Sequence, residues 1–319
     1  MMDKFYFYKN RIFADDGVDK KLVYHYTSPD NFLSILKNGK LWFSDCQFMN
    51  DRSEYVYIKD VYKEAIKGTF LARQYNLLDY ALTPYSSKGL VIKDKYSASK
   101  NEMIIETQKT VPMRYYILCA SLEPDIHSLW SYYSKNNHYQ GYNLGVDVNL
   151  LVDSISKSVI TTAANIIHGE VVYDRETQVK QINEIIKEID EQYNITEQKK
   201  TSKILDDKYK SILAIAIRQR CMFFKNPAFA HEKEYRFVVE APYKKIDLEG
   251  TMAKLDFHIG PSGLIVPHLE IPFDLEAIEA ISLAPMMERE VAEQGIKIFL
   301  GNYFKKEIIV KFSQIDLRY

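Results

Sequence analysis

The chain has 319 residues, 46% of them hydrophobic and 27% charged, with 42 Lys and Arg against 43 Asp and Glu for a formal net charge of −1. That is enough chain for a substantial core, and the balance excludes a whole-molecule electrostatic pull on nucleic acid, though not a local basic patch. No stretch reaches the ~18 uncharged apolar residues of a membrane span, and residues 1–10 hold Asp3 and Lys4 with no long apolar run, so no signal peptide is expected.

In chain order, residues 22–28 and 40–44 read as strands. Pro29 to Lys37 between them reads as a helix, with Ser28 as N-cap, Pro29 at the first helical position and Gly39 closing the end. A long amphipathic helix is expected over 53–76, then a surface excursion over 77–100, where Pro84, Ser86, Ser87, Gly89 and Ser97 collect. Met113 to Ser121 is nearly continuous in apolar residues and reads as a central strand. Ser128 to Tyr133 suggests a helical turn and Gly141 to Val148 a strand. Helices follow over Arg175–Tyr193 and Ser202–Phe224, then strands over 234–240, 254–259, 262–266, 279–284 and 307–312, with a helix over 287–299.

Strands spread from end to end predict an α+β fold, a single domain over 1–319 on a mixed or antiparallel sheet, with a helical insertion over 175–225. A split near residue 150 is the alternative. Cys46, Cys119 and Cys221 are odd in number and far apart, which fits neither a disulfide framework nor a zinc knuckle. Reduced thiols in a cytoplasmic protein are the expectation.

Four clusters carry chemistry. In the first strand, alternation puts Val23, His25 and Thr27 on one face and Tyr24 and Tyr26 on the other. A neutral imidazole at His25 could hold a ribose hydroxyl or a carboxamide, or it could be a structural histidine satisfied by a backbone carbonyl. In Met49–Glu54, Asn50 or Asp51 can cap the next helix, and Arg52 remains for an anionic group. Ser128 to Tyr133, followed by Asn136 to Gly141 with His138, packs a Trp and three tyrosines among polar residues. Such rings either sandwich a planar heterocycle or form an aromatic mini-core that pins the loop.

The fourth cluster is His231 to Arg236, where strand alternation would align Glu232, Glu234 and Arg236. They could be a solvated edge of ion pairs, or a carboxylate set to stabilise an oxocarbenium ion, with like charges raising one pKa. No GxGxxG, Walker, HExxH or GxSxG pattern occurs, so a Rossmann, P-loop or metal site is not expected. Arg218, Arg220 and Lys225 could form a small basic patch or merely compensate a helix C-terminus.

Taken in order, Tyr24-His25-Tyr26-Thr27, Asn50-Asp51 with Glu54, Trp130-Ser131 with Tyr133, and Glu232-Lys233-Glu234-Tyr235-Arg236 resemble a bacterial family known only as a domain of unknown function. Ile265-Val266-Pro267, Ala284-Pro285 and Ser313 to Arg318 resemble its C-terminal pattern, so the likeness spans roughly 22–318. Arg52 stands where that family usually has proline, and Ala284-Pro285 where Gly-Pro is usual. The resemblance implies association with anti-phage or toxin-like loci.

The chain also resembles the His-Tyr-Glu class of ADP-ribosyltransferases. That likeness implies an ADP-ribosyltransferase-like fold, NAD as substrate and no metal. It implies Glu234 as catalytic carboxylate, with His25, Tyr26, Thr27, Tyr132, Tyr133, His138, Glu232 and Arg236 around the nucleotide. The expected partners are a nucleotide-type small molecule and an unidentified acceptor macromolecule, with no membrane. Alternatives are a non-catalytic nucleotide- or nucleic-acid-binding module, or a metal-independent nuclease using His25 and His138.

Overall fold

The structure, a computed structural model, describes residues 21–49, 53–67, 69, 90–94, 107–111, 113–134, 139–158, 165–192, 207–242, 252–260 and 263–317. Strand β1 (Leu22–Thr27) leads through helix α1 (Pro29–Asn38) into β2 (Lys40–Asp45). The Ser28 hydroxyl caps α1 by accepting from the Asn31 N–H at 3.4 Å, and Gly39 closes it in the left-handed region at φ 59°. Phe32 and Leu36, one helical turn apart, bury the inner face of α1. Helix α2 (Ser53–Ala65) follows, then a separate hairpin of β3 (Leu90–Asp94) and β4 (Thr107–Val111).

Next come β5 (Met113–Ser121), α3 (His127–Tyr133), β6 (Tyr142–Asp147), α4 (Val148–Ser158) and β7 (Asn165–Glu170). Helices α5 (Arg175–Gln192) and α6 (Asp207–Cys221) lie in sequence between β7 and its antiparallel partner β8 (Glu234–Pro242). The chain continues through β9 (Lys254–Ile259), β10 (Ile265–Pro272), β11 (Ile278–Leu283), α7 (Arg289–Tyr303) and β12 (Ile309–Phe312).

This is a mixed α+β fold built on one open sheet of ten strands. Nearly all pairings are antiparallel; β11 with β12 is parallel. The path runs β12-β11-β6-β1-β5-β2-β10-β9, and β8 with β7 branches from β5. The branch defines the site. β8 occupies one edge of β5 along its full length, from Met113 opposite Pro242 to Ser121 opposite Glu234. A strand has two hydrogen-bonding edges, so β1 and β2 must share the other. They do so in series: Tyr24 pairs with Ser121, and Ser44 and Asp45 pair with Ile117 and Tyr116. The ladder on that edge lapses over residues 118–120, leaving a fork between β1 and β2 that α1 spans.

Two large apolar clusters result. One fills the sheet face beneath α1, α4 and α7, and includes Val23, Phe43, Tyr116, Leu144, Phe237 and Leu269. The other packs α2, α5 and α6 together through Tyr62, Ile182, Ile185, Leu213 and Ile217. Helix α4 and strand β7 are not anticipated by the sequence reading, and the part of the long helix expected beyond Thr69 lies outside the described residues. Among the described residues no helix is long and apolar enough to cross a membrane, and Cys46, Cys119 and Cys221 are free thiols.

Candidate functional site

The fork leaves the carbonyl of Cys119 without a ladder position on that edge, and His25 supplies a partner: Nδ1 lies 2.9 Å from the Cys119 oxygen. A carbonyl can only accept, so Nδ1 carries the proton and Nε2 is left as an acceptor. Burial lowers the His25 pKa, and the Cys119 hydrogen bond opposes this only in part. The ring is therefore neutral at neutral pH. His25, Thr27, Asn31, Lys40, Trp42 and Glu270 contribute to the walls of a cavity of about 110 Å³ between α1 and the fork.

Glu234 starts β8 opposite Ser121 and is 5% exposed. Arg236 grips its carboxylate in bidentate fashion, Nε to Oε1 at 2.9 Å and Nη2 to Oε2 at 3.0 Å. Lys225 donates to Glu234 at 3.2 Å and to Glu232 at 2.6 Å. The Glu234 backbone N–H donates to the Tyr173 hydroxyl at 2.9 Å, and Arg236 Nη1 donates to the Met222 carbonyl at 2.7 Å. Burial would raise the Glu234 pKa, but the Arg236 and Lys225 charges and a hydrogen bond from the Cys119 thiol hold it at about 2. The same surroundings push the Cys119 thiol well up, through burial first and then the Glu234 charge.

Two expectations about this cluster are corrected. Glu232 is not on the strand: it ends a 3₁₀ turn (Pro227–Glu232), and Lys233 at φ 44° turns the chain into β8. Lys225, not strand alternation, brings the two carboxylates together. Nor is the Glu234 pKa raised, because Arg236 and Lys225 outweigh the effect of burial there.

The aromatic loop divides by role. Trp130 is buried, donates from Nε1 to Asp125 at 2.7 Å, and meets Tyr26 edge-on at a centroid distance of 4.7 Å. Asp125 also accepts from the Ser313 hydroxyl and the Gln314 backbone N–H, which pins the C-terminal segment to the loop. Tyr26 donates to the Glu123 carbonyl and accepts from the Ile126 N–H, so its hydroxyl is a tether inside this mini-core. Thr27 is buried on the cavity wall. Tyr132 is 61% exposed. Tyr133 is 43% exposed. Burial of its hydroxyl, and then the nearby Glu234 and Glu232 carboxylates, raise its pKa against the opposing Arg236 charge. His138 and Arg52 lie outside the described residues.

His25 and Glu234 thus meet at Cys119 from β1 and β8, with Lys225 and Arg236 neutralising the carboxylates, while Tyr132, Tyr133 and Glu234 are not on the walls of the cavity beside His25. Cys119, Tyr173, Trp42 and Glu270 are not anticipated: each belongs to a segment whose local pattern reads only as strand or linker. The three cations of the expected basic patch are engaged internally. Arg218 is buried over the Tyr115 ring at 5.9 Å, Arg220 donates to Gln181 at 2.9 Å, and Lys225 is held by the two glutamates. A larger groove of about 440 Å³ runs along α5 between Glu64 and Lys187 and holds none of the expected site residues.

Fold and site define an α+β protein with a forked sheet and a buried, charge-neutralised carboxylate cluster at the fork. Residues 129–237 match the model of a family described as Protein of unknown function (DUF2971). That segment includes Trp130, Tyr133, Lys225, Glu234 and Arg236, and stops short of His25. No curated protein and no solved structure matches the chain.

Proposed function

We propose that the chain is an ADP-ribosyltransferase-like enzyme that takes NAD, transferring ADP-ribose to an acceptor or hydrolysing the dinucleotide. One observation carries this reading: the His25 imidazole and the Glu234 carboxylate engage the same residue, Cys119, at its carbonyl and its thiol, with Tyr133 within reach of the Glu234 charge. In this scheme the nicotinamide–ribose bond breaks and its electron pair leaves with nicotinamide. The oxocarbenium ion is stabilised by the permanently ionised Glu234 and captured by water or an acceptor nucleophile. His25 Nε2 accepts from a ribose hydroxyl. The cavity of about 110 Å³ beside His25 is small against the ~300–1,000 Å³ of drug-sized ligand sites, and takes a single sugar- or amide-sized fragment.

Incubating the full chain with nicotinamide-labelled NAD tests the proposal. Release of nicotinamide is expected, and Glu234→Gln should abolish it. Because Glu234 also holds buried cations, Tyr133→Phe is the companion variant. In this scheme its hydroxyl bonds the substrate, and losing one such hydrogen bond to a charged group costs ~1.5–3 kcal/mol, a rate loss of about 10–100-fold, with the fold retained. No release by the native chain, or release unchanged in both variants, overturns the assignment.

A further inference from the structure

A second constellation lies on β9 and β10, on the sheet face that carries Trp42. His268 pairs with Asp256 across the two antiparallel strands, and residues two apart on each strand share that face, which adds His258 and Glu270. Asp256, His268 and Glu270 each place one ligand-type atom within 4.8 Å of the other two. On the other side of β10, His268 and Glu270 pair with Ser44 and Trp42, so the group adjoins the fork cavity, whose wall includes Trp42 and Glu270.

The two ring nitrogens of His268 differ in their partners. Its Nδ1 lies 3.1 Å from His258 Nδ1. Its Nε2 is buried, with no hydrogen-bond partner among the described residues. With Nδ1 engaged by His258, Nε2 is the ring nitrogen left without a partner, in a residue only 1% exposed. A buried acceptor without a partner costs ~1–3 kcal/mol, so a native structure that keeps one has a use for it. A ring held at Nδ1 by a neighbouring group, with Nε2 left open, is how a ligating histidine is commonly oriented. Lys40 takes Glu270 Oε2 at 2.9 Å, leaving Oε1 for another partner, and Asp256 is exposed enough to admit a hydrated ion.

We propose that Asp256, His268 and Glu270 bind a divalent transition-metal ion of the zinc class, with His258 orienting His268. One imidazole and two carboxylates suit zinc or its neighbours better than magnesium or calcium, which prefer all-oxygen shells. Three protein ligands leave a fourth position open toward solvent and the cavity, the pattern of catalytic rather than structural zinc. This goes beyond the NAD reading and does not depend on it.

The test uses the full chain without an affinity tag, stripped with a chelator and titrated with zinc by calorimetry and with cobalt(II) by visible absorption. One ion per chain and a ligand-field band are expected. Asp256→Asn changes only an exposed side chain, so its fold persists, and it should bind at least about tenfold more weakly. His258→Gln should cost about 10–100-fold as an orienting change. Absence of saturable one-to-one uptake overturns the proposal. So does uptake whose affinity is unchanged in both Asp256→Asn and Glu270→Gln. Nicotinamide release is not measured here, so failure of this site and failure of the NAD reading are separate results.

Discussion

Glu234 is where charge and stability meet. Its carboxylate, 5% exposed, is bonded by Arg236 and Lys225, and its pKa falls from an ordinary 4.5 to about 2. A depressed acid contributes stability that is complete above its unfolded pKa and lost as pH falls through the folded one. The shift corresponds to about 3 kcal/mol. Urea unfolding measured between pH 5 and pH 2 should therefore show stability declining toward acid, with much of that slope absent in Glu234→Gln. At neutral pH the same substitution leaves Arg236 without its bidentate carboxylate in the interior and should cost ~3–5 kcal/mol, while Lys225 keeps Glu232. Glu232, whose carboxylate pairs with Lys225 at the end of a 3₁₀ turn, should cost less when replaced by Gln. The identities of Glu232, Glu234 and Arg236 are legible as a charged run, but the sign of the Glu234 shift is not. Lys225 comes from a separate element, and Cys119 from an apolar strand with nothing local to mark it.

At the scale of elements, the β1–α1–β2 module is the best-read part of the chain. Ser28, Pro29 and Gly39 mark the helix ends through side-chain and backbone chemistry that acts within four residues, so the sequence suffices. Gly39→Ala should cost ~1–2 kcal/mol, because φ 59° is strained for any residue with a Cβ. A Cβ there would meet only ordinary contact with the Phe273 carbonyl at 3.6 Å, so the loss is conformational, and the denaturation midpoint should drop without a change in slope. Gly141 is different. A Cβ there would lie 2.9 Å from the Thr27 carbonyl, so Gly141→Ala should push β6 away from the end of β1 and disturb the fork itself. The start of β8 at Glu234 is as expected, but the alignment of Glu232 with that strand is not. Alternation extrapolates smoothly back to Glu232, but the left-handed Lys233 breaks the strand.

At the scale of the molecule, the two apolar clusters set separate stabilities. Ile182→Ala, at a fully buried position among α2, α5 and α6, should cost ~2–5 kcal/mol. Hydrogen exchange should rise first in those helices, before the β5–β8 ladder, because local opening follows cooperative units. A uniform rise across sheet and helices would show that the two clusters unfold as one.

The local periodicities of the chain were sufficient to determine an α+β protein, most of its strands and helices, and the positions of its unusual polar residues. Helix caps, alternation and apolar runs act over a few residues, and one chain carries them openly. Helix α4, strand β7, the ten-strand order and the fork come from pairings between distant segments. So do the neutralisation of Glu234 by Lys225 and the bare Nε2 of His268 opposite Asp256. Burial, charge and hydrogen-bond satisfaction at those points depend on which strands lie side by side. Long-range contact decides that, and no local pattern encodes it.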